Sequence, residues 1–297
     1  METKILEPVG YSKALENLLN IAKNVRKEYP NDQIVLLGGL LNAESVKKEL
    51  SDLNIRIVDI PFEGFVDYVN NADFDTFFLT SPYGVDKKVI KALKKRKIRY
   101  IETTSDLVKG KINFINKYGR HHRIIYVCNL NTVEANYIFK TAKHPVIFYD
   151  VNNSSLANQV ITEQTSKLNR PSTYILYQSE LAGTNFDTSL EYLKAILPYA
   201  TIAEDVSDEN AAKKNELLDI LDEENDIIIF AMNTSKRDEY LLDYYHLSTK
   251  KVLYAVIKDV NEAMNVNIQN KKRAIIITDG SLSKESIVNI SFYFTYK

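Results

Sequence analysis

The sequence has 297 residues, of which 45% are hydrophobic and 26% charged, as expected for a globular protein with a large core. Its formal net charge of −1 provides no basic excess, so we expect neither nucleic acid nor an anionic membrane as a partner. The single cysteine, Cys128, excludes an intramolecular disulfide and any cluster held by three or four cysteines of this sequence.

Apolar segments rich in β-branched and aromatic residues recur along the chain, and each runs into Ser, Thr, Asn or Gly. Continuous apolar runs of about five residues are typical of strands that are covered on both faces. The segments begin at Ile34, Asp75, Arg123, Thr173, Asp226 and Arg273. Weaker strands are predicted at residues 55–59, 98–102, 146–149 and 252–257.

Segments with helical spacing of their apolar residues separate these strands. Helices are predicted at residues 12–29, 43–53, 86–96, 105–118, 132–141, 188–197, 208–223 and 235–245. The alternation predicts an α/β fold, because the crossovers are long enough to join parallel strands. Strand–helix modules restart near residues 33, 75, 123, 173, 226 and 273, at intervals of 42 to 53 residues, which predicts three similar small α/β domains. Their predicted bounds are 12–103, 104–200, and 201–297 together with 1–11.

The sequence shows no targeting or membrane-spanning segment. No apolar run reaches the roughly 20 residues that a membrane span needs. The first residues also lack the apolar core of a secretion signal. We therefore expect a cytoplasmic protein without a membrane partner.

Polar residues stand at the predicted strand ends, which is where α/β proteins bind ligands. Gly38-Gly39 and His121-His122 lack the spacing of a phosphate or metal motif, so both are interpreted as turns. Cys128 is interpreted as a small buried hydrophobe rather than a nucleophile, because its segment contains no histidine. The strand-end residues either line a pocket for a small polar or anionic ligand or only cap helices. They are Ser81, Ser105, Asn129, Asn131, Ser179, Thr184, Ser207, Asn233, Thr234, Ser281 and Ser283.

Four short segments carry a family resemblance. Residues 81–85, SPYGV, correspond to a family strand end Ser-Ala-His-Gly-Val, and residues 102–108, ETTSDLV, correspond to Asp-Ala-Thr-Cys-Pro-Leu-Val. Residues 10–12 and 205–207 fall on two further cysteine turns of that family. In this order the segments resemble the 4-hydroxy-3-methylbut-2-enyl diphosphate reductase family, also called IspH or LytB, which belongs to isoprenoid biosynthesis. The likeness covers nearly the whole chain.

The resemblance implies three pseudo-equivalent small α/β domains with parallel sheets, arranged as a trefoil around a central cavity. In the family, three cysteines hold an iron–sulfur cluster that binds the substrate and supplies electrons. The corresponding residues here are Ser12, Ser105 and Ser207, and a serine hydroxyl does not replace a soft thiolate at all three corners.

The diphosphate-binding residues of the family are replaced as well. Its three histidines correspond to Leu41, Tyr83 and Asn131. Its proton-relaying acid has only an out-of-register counterpart in Glu134. Further family strand ends fall on residues 177–181, 233–235 and 280–283.

The chain is therefore interpreted as a cluster-less, non-enzymatic homologue without a cofactor, which binds a small polar, anionic or diphosphate-like ligand in the cavity in a regulatory role. The candidate ligand-binding residues are Ser12, Ser81, Tyr83, Ser105, Asn131, Glu134, Ser179, Glu180, Ser207, Asn233, Thr234 and Ser281. No catalytic or metal-ligating residue is predicted.

Three alternatives remain open at this stage. The first is an enzyme of changed, non-redox chemistry that uses Tyr83, Cys128, Glu134, Glu180 or Asp279. The second is an interaction protein whose aromatic tail, residues 290–296, forms an added edge strand or a homo-oligomer contact. The third and most distant is a retained diphosphate reductase.

Overall fold

A computed structural model describes residues 1–40, 43–153, 172–178, 186–207, 211–232, 241–242, 245–268 and 270–297. The chain divides into two compact units. The smaller unit consists of Met1–Ser12, Asn42–Ser45 and Glu209–Lys297, and the larger consists of Lys13–Leu41 and Val46–Asp208.

The described strands form three four-stranded sheets, and every strand pair is parallel. Sheet I consists of β2 (Ile34–Leu37), β3 (Ile55–Val58), β4 (Phe77–Thr80) and β5 (Tyr100–Ile101). Sheet II consists of β6 (Arg123–Cys128), β7 (Ile147–Asp150), β8 (Thr173–Tyr177) and β9 (Thr201–Ile202). Sheet III consists of β1 (Glu2–Ile5), β10 (Asp226–Ala231), β11 (Leu253–Ile257) and β12 (Arg273–Thr278).

The three sheets share one strand order, which confirms the predicted α/β class built on a repeated unit. The orders are β3-β2-β4-β5, β7-β6-β8-β9 and β11-β10-β12-β1. In each sheet the first strand of the repeat lies between the second and the third, and the fourth lies at an edge. The N-terminal strand β1 supplies the fourth strand of sheet III. The domain bounds predicted from the sequence stay a prediction.

The inner strands are buried on both faces, as their continuous apolar runs predict. Along β10, Ile227 and Ile229 pack on one face of sheet III, and Ile228 and Phe230 pack on the other. The register of β10 and β12 places Asp226 opposite Arg273, and these side chains form an ion pair at 2.6 Å.

Helices connect the parallel strands. The described helices are α1 (Lys13–Glu28), α2 (Glu44–Asp52), α3 (Phe65–Asn71), α4 (Lys87–Arg96), α5 (Asp106–Tyr118), α6 (Val133–Thr141), α7 (Phe186–Ile196), α8 (Glu204–Ser207), α9 (Ala211–Ile220), α10 (Val260–Ala263) and α11 (Lys284–Tyr296). Side-chain N-caps fix three predicted starts, because Asp86, Ser105 and Thr132 each accept a backbone N–H of the first turn. Across the described ranges, no helix has both the length and the apolarity needed to cross a membrane.

The C-terminal tail is a helix, so the strand interpretation of residues 290–296 is wrong. Ser283 caps α11, and Ile287, Ile290 and Phe294 lie buried on one stripe of that helix against sheet III. Their spacing of three and four residues is helical. The apparent strand-like alternation is confined to residues 290–296, the last two turns of the helix. Phe292 is exposed on the opposite side.

Alanine substitutions in this tail distinguish the helix from a strand. Phe294→Ala is expected to lower the free energy of unfolding by about 3–5 kcal/mol, because it empties a buried site. Phe292→Ala, the matched control, is expected to change it by less than about 0.5 kcal/mol. Urea unfolding measures both values. Equal losses would contradict the helix, since a strand places residues 292 and 294 on the same face.

Candidate functional site

A cavity of about 180 Å³ lies in the larger unit, at the carboxyl ends of strands from sheets I and II. Its residues follow β2, β3, β4, β6 and β8, or belong to the first turn of α6. Parallel strands that end at one edge bring residues distant in sequence together there, which is the usual ligand position in α/β proteins. The lining residues are Gly39, Leu40, Asp59, Tyr83, Asn129, Asn131, Thr132, Val133, Glu134 and Gln178.

Hydrogen bonds hold the polar wall of this cavity in place. The Thr132 hydroxyl donates to the carbonyl of Asn129 at 2.8 Å and caps α6 by accepting the N–H of Ala135. The side-chain oxygen of Gln178 accepts from the N–H of Asn129 and contacts the Thr132 hydroxyl, both at 3.3 Å. The ends of β6 and β8 are therefore fixed relative to α6.

Gly39 and the Asp59 carboxylate lie close together at the cavity wall. A Cβ at this position would lie 2.5 Å from a carboxylate oxygen of Asp59, closer than real side chains approach. The glycine thus allows the Asp59 carboxylate to lie against the backbone that follows β2.

The cavity lining has negative but no positive side chains. Asp59 is exposed and Glu134 is buried, and none of the lining residues is Lys, Arg or His. The remaining polar groups are amides, the Thr132 hydroxyl and the Tyr83 hydroxyl. This donor set suits an uncharged polar molecule better than a multiply charged anion.

Glu134 is neutralised by a partner below the cavity. Its Oε1 atom accepts from Lys111 Nζ and from Tyr126 Oη, each at 2.6 Å, and all three side chains are buried. Lys111 belongs to α5, Tyr126 to β6 and Glu134 to α6. A buried carboxylate needs such a partner, because an isolated charge in the interior costs several kcal/mol.

Burial also raises the pKa values of two ionisable residues of β6 that lie near this pair. The pKa of Tyr126 lies well above its usual value, mainly because of desolvation and secondly because of the negative charge of Glu134. Desolvation, followed by the charge of Asp150, raises the pKa of the Cys128 thiol. Both groups stay protonated at neutral pH, and the thiol lies inside the core, as predicted from the sequence.

The serines at the cluster positions form backbone hydrogen bonds. Ser105 caps α5 by accepting the N–H of Val108 at 3.3 Å. Ser207 accepts the N–H of Tyr177 at 3.1 Å and donates to the carbonyl of Ala203 at 2.7 Å. Ser12 belongs to the smaller unit, where its N–H donates to the carbonyl of Gly280 at 3.1 Å. At positions 105 and 207 the hydroxyl therefore serves the fold.

The other predicted site residues divide into four groups. Tyr83, Asn131 and Glu134 lie together in the cavity. Ser81 is fully buried, and its Oγ atom accepts the N–H of Tyr83 at 3.1 Å. Ser281 lies in the smaller unit and bonds the Asp279 carboxylate through both its N–H and its hydroxyl. The predictions at Leu41, Ser179, Glu180, Thr184, Asn233 and Thr234 lie outside the described residues.

Sequence reasoning missed six lining residues: Gly39, Leu40, Asp59, Thr132, Val133 and Gln178. The signal for two of them was present, because Asp59 directly follows β3 and Gln178 directly follows β8. Counting every polar residue at a strand end, and not only Ser, Thr and Asn, finds both. Leu40 carries no such signal.

Comparison with known proteins agrees with this architecture. The chain aligns with the 4-hydroxy-3-methylbut-2-enyl diphosphate reductase of Malacoplasma penetrans over 98% of its own length and 96% of the relative's, at 19% identity. It matches the enzyme of that name from Prochlorococcus marinus (strain MIT 9515) at 23% identity over 121 residues, which span only 30% of that relative. The solved reductase structure from Plasmodium falciparum superposes with a TM-score of 0.68, at 16% identity, covering 99% of this chain and 88% of that one.

The three sheets with one shared strand order define a parallel α/β protein built on a repeated unit. Residues 4–291 match the family model described as LytB protein. The chain belongs to the LytB family.

The residues present do not fit the iron–sulfur cluster that the resemblance implies. Ser12, Ser105 and Ser207 stand where the resemblance places the cysteines, and the one thiol is buried and protonated. In the described ranges, no group of three or more His, Cys, Asp and Glu side chains is placed to hold a metal ion. Hard hydroxyl oxygens that bond the backbone are poor ligands for iron in a sulfide cluster.

Breaking the buried ion pair is expected to destabilise the larger unit. Lys111→Met leaves the Glu134 carboxylate buried without its cation and is expected to cost about 3–5 kcal/mol of unfolding free energy. The double variant Lys111→Met/Glu134→Gln is expected to recover a large part of that loss. Urea unfolding of each variant provides the measurement.

Lys109→Ala is the matched control, because Lys109 lies on the same helix in an exposed pair with Asp106. That change is expected to alter stability by less than about 1 kcal/mol. A Lys111→Met protein as stable as the control would show that the pair does not hold α5 and α6 together.

Proposed function

We propose that this LytB-family protein does not carry out the reduction for which its relatives are named, and that it binds a small uncharged polar ligand in the strand-end cavity of the larger unit. The proposed loss of reductase activity rests on the hydrogen bonds that the serines make. The hydroxyls of Ser105 and Ser207 are committed to backbone hydrogen bonds, and the sequence offers one cysteine in all.

A reductase needs a group that stores and passes electrons. None of the 20 ordinary side chains does this at a diphosphate alcohol, so the chemistry depends on a bound redox group. Thiolates hold iron–sulfur clusters because their soft sulfur atoms match the metal. Three hydroxyls and a buried, protonated thiol do not supply such a site.

The ligand class follows from the size and charge of the cavity. About 180 Å³ is less than the roughly 300–1,000 Å³ of drug-sized sites, so a small molecule is favoured. A diphosphate would bring several negative charges next to Asp59, and no lining residue carries a positive charge. The amides of Asn129, Asn131 and Gln178 instead match hydroxyl or amide groups of a neutral ligand.

An enzyme of changed chemistry has less support. Glu134 does line the cavity and lies within hydrogen-bond distance of a tyrosine hydroxyl. However, Lys111 occupies the same carboxylate oxygen, and Tyr126 is fully buried with a raised pKa. Both partners bond Oε1 and hold the carboxylate between α5, β6 and α6, which favours a structural role for Glu134.

Anaerobic purification and reconstitution with iron and sulfide tests the loss of reductase chemistry. We expect less than about 0.1 iron–sulfur cluster per chain and no conversion of 4-hydroxy-3-methylbut-2-enyl diphosphate by reduced methyl viologen. The Malacoplasma penetrans relative, treated in parallel, serves as the positive control. Stoichiometric iron with reductase turnover would refute the proposal.

Thermal unfolding with chosen probes tests the ligand class. At about ten times the dissociation constant, a polyol such as erythritol or ribitol is expected to raise the melting temperature by roughly 2–4 °C, whereas inorganic diphosphate is expected to have no effect. Asn131→Ala removes a lining amide and is expected to abolish the shift, while the exposed Asn20→Ala serves as control. A shift with diphosphate that Asn131→Ala abolishes would overturn the uncharged class. No shift with any polyol would count against ligand binding.

A further inference from the structure

Strand β11 forms an unusual edge of sheet III. All five of its residues line a groove of about 400 Å³, whose other wall consists of Glu262, Asn265, Val266 and Asn267. The strand Leu253–Ile257 is entirely apolar, and its first four residues are half-buried. Only β10 pairs with it among the described strands.

The other sheet edges have features that discourage pairing with another chain. Strands β5 and β9 have two residues each. Strands β1, β3 and β7 each contain at least one charged residue, and Arg56 in the middle of β3 is an example. Short length and charge are the usual protections of an edge. Strand β11 has neither.

The backbone of β11 shows which groups face outward. The carbonyl of Ile257 accepts the N–H of Met232, which follows β10, so Ile257 faces the sheet. Because the N–H and C=O of one residue point to the same side and successive residues alternate, Tyr254 and Val256 direct theirs away from β10. These are the groups that a further strand would pair with.

We propose that a second copy of this chain pairs with β11 antiparallel, about a two-fold axis at Ala255. An outward-facing residue pairs only with another outward-facing residue, so a symmetric register places Tyr254 opposite Val256 of the second copy. Ala255 then lies opposite itself in a pair without hydrogen bonds. Two four-stranded sheets become one eight-stranded sheet.

Charge complementarity at the strand ends supports this occupant. Continued two residues beyond each end of the strand, the same register places the exposed Lys251 opposite Asp259 of the second copy, and the two-fold axis repeats this pair. The Asp259 carboxylate also caps α10 by accepting the N–H of Glu262. Directly opposed unlike charges stabilise an antiparallel pair, and like charges there destabilise it. An isologous contact of this kind closes after two copies. A self-complementary register favours a second copy over an unrelated extended peptide.

Covalent trapping tests the register. The opposed Cα atoms of a pair without hydrogen bonds lie about 4.5 Å apart, within reach of a disulfide. Ala255→Cys is therefore expected to form a disulfide-linked dimer under mild oxidation, whereas the native Cys128 is buried and unreactive. Phe292→Cys on the exposed side of α11 is the control and is expected to stay monomeric on a non-reducing gel. A dimer trapped through residue 292 instead of 255 would overturn the proposal in favour of the C-terminal tail.

Sedimentation velocity of the native protein provides an independent measurement. A dimer of twice 34.1 kDa is expected to form reversibly as the concentration rises to about 100 μM, a range typical of weak interfaces. Lys251→Glu creates a like-charge pair twice and is expected to weaken dimerisation at least tenfold. Lys91→Glu makes the same charge change on exposed α4 and is expected to have no effect. A native protein that stays monomeric, or a dimer indifferent to Lys251→Glu, would refute the pairing.

Discussion

The ion pair between Lys111 and Glu134 is the interaction on which the described site depends. It joins α5 to α6 and, through the hydroxyl of Tyr126, joins both helices to the central strand β6. Because all three side chains are buried, the ion pair holds a single arrangement, whereas an exposed pair would exchange among several. The first turn of α6 then presents Thr132 to the cavity, and Gln178 completes the wall.

The sequence predicted those parts of the fold that local chemistry determines. Inner strands such as β6 and β10 are continuous apolar runs, so their burial on both faces was expected. Helix starts with Asp, Ser or Thr caps were placed within a residue or two. The short strands β1 and β9 were not predicted, because pairing with a neighbour stabilises them rather than their own composition. The strand prediction for residues 290–296 was wrong because the buried stripe of this helix begins earlier, at Ile287.

The site was less predictable than the fold, for a physical reason. Three of the predicted residues, Tyr83, Asn131 and Glu134, share one cavity, since strand ends meet at one edge. Nothing in the sequence pairs Lys111 with Glu134, which lie 23 residues apart on different helices. The absence of cations from the lining also depends on which side chains face the cavity, and only the three-dimensional arrangement determines this. The resemblance to diphosphate reductases alone suggests the opposite charge preference.

Serine is physically suited to the positions where the resemblance places cluster cysteines, because its hydroxyl bonds the neighbouring backbone there. The resemblance places a cysteine at position 105, at the start of a helix, where serine is among the most stabilising residues. Ser105 bonds the first turn of α5, and α5 carries Lys111 two turns later. Ser207 similarly joins the end of β8 to the short helix α8. Hydroxyls at these two positions therefore stabilise the segments in which the resemblance places cluster cysteines.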